Sequence, residues 1–176
     1  MGGARGGASF VVPWYGEAIP GGAEAEARRT AQNLAAAGVP VSVFATTLQG
    51  LGSDWDSETL PAGESWEEGV RVVRFPPGPR DGARFGALNS RVVAGERLAP
   101  AEEEEFFRNF VPSPELFAHL AAHPEEGPFF FIPYLFTTSV WGPLVHPSRS
   151  VIVPCLHDEG YARLASVRRA FETSRA

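Results

Sequence analysis

Near its start the chain reads Phe10-Val11-Val12-Pro13-Trp14-Tyr15-Gly16-Glu17-Ala18-Ile19-Pro20-Gly21-Gly22-Ala23-Glu24. Near its end it reads Val151-Ile152-Val153-Pro154-Cys155-Leu156-His157-Asp158-Glu159. Each stretch is an apolar run that stops at a proline, opens into a loop and then leads into a helical pattern. Buried strands followed by loops and helices build a parallel sheet, because a parallel partner can be reached only by a crossover. In such a sheet the loops after the strands share one edge, where ligands bind. Gly21-Gly22 and His157 therefore face one cleft in this reading, although they are far apart in sequence.

Between the two ends, strand and helix patterns alternate. Strands are expected at 8–13, 39–46, 70–75, 129–133 and 150–154. Helices are expected at 23–37, 85–96, 101–110, 114–123, 135–144 and 160–171. The first helix carries Glu24 and Glu26 at its positive end and Gly38 as its stop. Its face of Ala27, Ala31, Leu34 and Ala35 is small enough to lie close on a sheet. Residues 47–69 read as one long polar loop holding Trp55 and Trp66, and 1–7 as a flexible lead-in. Glu102 to Glu105 reads as a solvated helix face. The fold class is α/β with a mainly parallel sheet.

The 176 residues suit one domain with a substantial core, and 44% are hydrophobic, as in ordinary globular chains. The formal net charge of -6, with no basic patch, argues against nucleic acid as the main partner. Cys155 is the only cysteine, so no intrachain disulfide forms. It reads as a small buried residue, and the missing disulfides fit a reducing compartment. No signal region opens the chain, and the longest apolar run, 128–136, is too short to span a bilayer. The expected location is cytoplasmic.

Few residues offer chemistry. Gly21-Gly22 lies between a strand and a helix N-terminus, where free N–H groups and the helix dipole suit an anion or polar ligand. The same glycines also suit a tight turn, and both readings stay open. The spacing is neither a dinucleotide fingerprint nor a phosphate loop. His157 can donate to a sugar hydroxyl or phosphate and can change charge near neutral pH, or simply bond a loop carbonyl. A metal site is not expected, since His157, Asp158 and Glu159 are adjacent and no second cluster supports them. His119, His123 and His146 read as surface or helix-end residues. No nucleophile elbow is present, and Cys155 lacks an electropositive setting.

Together, Ile19-Pro20-Gly21-Gly22-Ala23-Glu24 and Pro154-Cys155-Leu156-His157-Asp158-Glu159 resemble the N-terminal half of a group 1 glycosyltransferase (family 4, GT-B fold), over nearly the whole chain. The resemblance implies a Rossmann-like three-layer α/β/α sandwich spanning 1–176, one half of a two-domain enzyme. The nucleotide-sugar domain, with its Glu-x7-Glu motif, would lie outside this chain. Glu96 and Glu104 have that spacing by chance. The implied reaction is retaining transfer of a sugar from a nucleotide-sugar donor to a carbohydrate, lipid or small-molecule acceptor, with no cofactor and no metal. The resemblance implies a catalytic role for His157, at the transferred sugar. Gly21, Gly22, Ala23, Tyr15 and Asp158 would contact substrates. It also implies a peripheral place at the inner membrane face, weak self-association and inactivity of the isolated chain. A non-catalytic sugar-binding or interaction module of the same fold is the alternative. An unrelated Rossmann-like nucleotide-binding protein is a third reading.

Overall fold

A computed structural model describes residues 7–50, 55 and 60–174. The lead-in, apart from Gly7, and most of 51–59 lie outside the described residues. Among the described residues six strands form one sheet: β1 (Ala8–Val11), β2 (Val41–Thr46), β3 (Gly63–Glu67), β4 (Val70–Phe75), β5 (Phe129–Phe131) and β6 (Ser150–Ile152). Their order is β3-β4-β2-β1-β5-β6. Every neighbouring pair is parallel except β3 and β4. The helices are α1 (Gly22–Ala36), α2 (Gly82–Val93), α3 (Pro100–Arg108), α4 (Pro114–Ala122), α5 (Thr137–Trp141) and α6 (Ala165–Thr173).

Strand alternation sorts the core into two faces. Phe10, Val12, Val43, Ala45, Val70 and Val72 pack with Ala27 and Ala31 of α1. Val11, Phe44, Val73, Phe129 and Phe131 pack with Leu116 and Leu120 of α4 on the other face. The result is a Rossmann-like α/β/α sandwich. As the sequence implies, α1 lies close on its sheet face through alanines. It ends in a Schellman motif: Gly38 (φ 80) and Val39 return their N–H groups to Ala35 and Leu34.

A third cluster sits across the C-terminal edge of the sheet. Trp14 after β1, Leu48 after β2, and Tyr134 and Phe136 after β5 pack there with residues of α2, α3, α5 and α6. Strand order reverses direction between β1 and β5, the place where such sheets usually open a crevice. Here the Trp14 and Phe136 rings meet edge-to-face at 4.8 Å, and both residues are buried.

Several local expectations change. The long loop at 47–69 contains strand β3, joined to β4 by the two-residue turn Glu68-Gly69. Both turn residues have positive φ, 50 and 78, which matches the twist of a tight hairpin. The helix expected at 135–144 is the short α5 followed by a 3-10 turn, Gly142–Leu144. Pro143 cannot donate to a helix, and Gly142 lies against Phe131. The helix expected at 160–171 is split at Leu164, which turns into the core before α6 starts. Glu103 explains that start. It accepts hydrogen bonds from the Ala165 N–H (3.0 Å), the Ser166 N–H (2.9 Å) and the Ser166 hydroxyl (2.9 Å). Glu103 is therefore buried, in contrast to the solvated face read for the whole run, while Glu104 pairs with Arg108 at the surface. Among the described residues no helix is long and apolar enough to cross a membrane.

Candidate functional site

Because β1 and β6 are parallel members of one sheet, the loops that follow them share the C-terminal edge. The last loop comes within electrostatic reach of the first turns of α1. Ala23 of α1 and Val153 and Cys155 of the last loop pack on the same cluster. Burial raises the pKa of the Cys155 thiol, and the carboxylates of Glu24 and Glu26 raise it further, so the thiol lies within their field. Cys155 is half-buried, more open than a small core residue, and adopts φ 49.

The two glycines differ. Gly21 caps α1 at φ 125, and a Cβ there would collide with the Glu24 carboxylate. That carboxylate curls back over the helix start and accepts the Trp14 indole N–H at 2.9 Å. Gly21 therefore fits a tight turn closed by the chain's own anion at the positive end of the dipole. Gly22 is exposed, and a Cβ added there would meet nothing within 4 Å. It is the glycine that leaves backbone open to a ligand.

His157 is exposed and makes no hydrogen bond among the described residues. Next to it, Asp158 pairs with Arg163 at 2.9 Å at the surface. Glu159 anchors the loop by accepting the Tyr134 hydroxyl, and the Tyr134 N–H bonds Pro154 O at 3.2 Å. Burial and Glu159 together push the Tyr134 hydroxyl well above its ordinary range.

Tyr15 lies elsewhere. Its carbonyl accepts from Arg74 at 2.8 Å, and its hydroxyl lies in the field of Glu67, Arg28 and Arg74. Arg74 belongs to β4, and Asp158 follows β6; these strands flank β1 on opposite sides. The candidate residues thus divide: Gly22, Ala23 and the 155–159 loop on one flank of α1, Tyr15 on the other.

The second flank holds residues that sequence reasoning passed over. Arg74, 7% exposed, bonds Glu67 at 2.6 Å and Ser65 at 3.2 Å as well as Tyr15. Arg28 donates to Gly16 O at 2.8 Å. Together the two arginines tie the loop after β1 to α1 and to the β3–β4 hairpin. A cavity of about 470 Å³ lies between residues 16–20 and the hairpin, with Arg74 in its wall. Two arginines within the short run Val70-Arg71-Val72-Val73-Arg74-Phe75, the second near its end, were the available signal. His119 packs against Phe44 and Phe75 and bonds Glu126 at 2.9 Å, an internal role.

Among the described residues no three His, Cys, Asp or Glu side chains are grouped to hold a metal. No family model, no curated protein and no solved structure matches the chain.

Proposed function

We propose that this chain is the acceptor-binding half of a retaining glycosyltransferase, using a nucleotide-sugar held mainly by a second domain. The observation that carries the reading is that both motif loops leave one sheet edge and the last of them lies within the field of the first turns of α1, with Gly22 open and His157 exposed. An imidazole free of internal bonds can donate to a sugar hydroxyl or to charge developing on a leaving phosphate. Glu24 at the helix start and Glu26 beside it disfavour a diphosphate here. That fits an acceptor half rather than a donor half.

The experiment has two parts. Calorimetry on this chain with nucleotide-sugars should give affinity on the order of millimolar, and a transfer assay should show no turnover. In the enzyme assembled with its nucleotide-sugar domain, His157→Ala should lower turnover by about 10²-fold with unchanged thermal stability. Gly22→Val should act similarly, by blocking approach to the backbone. Micromolar nucleotide affinity in the chain alone, or wild-type rates in a folded His157→Ala enzyme, would overturn the reading. A non-catalytic sugar-binding module is the second reading. It is favoured by the Trp14–Phe136 pair that fills the edge above β1 and β5.

A further inference from the structure

A groove of about 720 Å³ runs between α1 and the β3–β4 hairpin, on the flank away from His157. Its size falls in the usual range for small-molecule sites, about 300–1,000 Å³. Three features distinguish it from an ordinary surface fold.

The first is Tyr15 in its wall. The residue is only 3% exposed, yet its hydroxyl has no hydrogen-bond partner among the described residues. A buried hydroxyl left unpaired is costly, and a ligand hydroxyl that reaches it as the side chains over it give way would satisfy it. Burial, and then Glu67, hold its pKa at about 12, so at neutral pH it is an O–H donor.

The second is charge. Among the described residues, Glu17, Glu67 and Glu68 line the groove against one cation, Arg28. Arg28 is engaged with Gly16 O, and Glu67 with Arg74 behind the wall. Glu17 and Glu68 make no ion pair among the described residues. The field inside repels phosphates and carboxylates and attracts a protonated amine.

The third is Trp66, which also lines the groove. It is 68% exposed on an edge strand, where an indole gains nothing from solvent. An exposed indole face beside carboxylates takes a cation or the apolar face of a ring. Gln32 adds an amide that can donate and accept.

We propose that this groove binds a small amine-bearing polyol, an aminosugar by chemical class, as a site separate from the motif edge. The ring lies against Trp66, the ammonium faces Glu17 and Glu68, and a ring hydroxyl pairs with Tyr15. The site does not depend on glycosyl transfer, and failure of either reading leaves the other standing.

The test is NMR titration of this chain with glucosamine, glucose and N-acetylglucosamine at pH 6.5. Glucosamine should bind at least 10-fold more tightly than the other two, with shifts at Trp66, Gln32 and Glu68. Tyr15→Phe removes only the unpaired hydroxyl. It should leave the melting temperature unchanged or higher while weakening glucosamine at least 5-fold, a pattern that a merely structural tyrosine would not give. Trp66→Ala and Glu68→Gln should each weaken binding without unfolding the chain. Equal affinity for the three sugars, no binding, or unchanged affinity in the Tyr15→Phe and Trp66→Ala proteins would overturn the proposal.

Discussion

Gly21 and Gly22 stand side by side and answer to different physics. At Gly21 the backbone has φ 125 and the Glu24 carboxylate fills the space a Cβ would need. At Gly22 the space is empty. Gly21→Ala should therefore cost about 1–3 kcal/mol of stability. Gly22→Ala should stay within about 0.5 kcal/mol of wild type. Urea denaturation of both variants checks this; equal losses would mean that the turn does not discriminate between them. The pair Gly-Gly marks a turn in sequence, but nothing in it says which glycine the turn consumes. That is decided by Glu24, held in place by Trp14 from the preceding loop.

Among the elements, the β3–β4 hairpin departs furthest from the sequence pattern. Gly63-Glu64-Ser65-Trp66-Glu67 has no alternation of apolar and polar residues, because β3 is an exposed edge strand with little to bury. Its backbone pairing with β4 and the turn hold it. Glu68 sits in that turn at φ 50, a conformation that favours asparagine. Glu68→Asn should stabilise the protein by about 0.5–1 kcal/mol, since Asn-Gly suits this turn type. A shift of the denaturation midpoint to higher urea is the expected result; a shift to lower urea would mean that the Glu68 side chain supports the hairpin. The same scale explains α6. Periodicity showed a helix near 160–171, but its start is set by Glu103, a residue 62 positions from Ala165. A run of four glutamates carries no mark of which one meets another helix.

For the whole molecule, packing governs the tyrosines. The chain has three, and burial raises all of them: Tyr15 to about 12, and Tyr134 and Tyr161 above their ordinary 10.0. A phenol whose folded pKa exceeds its unfolded value stabilises the fold fully below pH 10. That contribution is lost as pH rises through the folded value. The folded protein should therefore show no step in absorbance at 295 nm at the ordinary phenol value, and the rise should come at higher pH, together with loss of near-ultraviolet circular dichroism. The melting temperature should fall above pH 10. A titration step at the ordinary phenol value with the fold intact would contradict this burial.

The sequence by itself determined the layered plan. Short runs rich in β-branched residues and bounded by Gly or Pro, such as Val41-Ser42-Val43-Phe44-Ala45, read as buried strands, and the helices between them lead to parallel crossovers. Both signals are local, set by periods of two and 3.6 residues. It also placed the two motif loops on one edge, since parallel strands leave no other choice. The tertiary structure alone decided what occupies that edge. Trp14, Leu48, Tyr134 and Phe136 come from three separate loops, and their packing fills the space above β1 and β5. It alone placed Tyr15 with Arg74, 59 residues away, instead of with Asp158. Contacts of that range depend on which strands become neighbours and which side chains fit between them, and no local pattern encodes that fit.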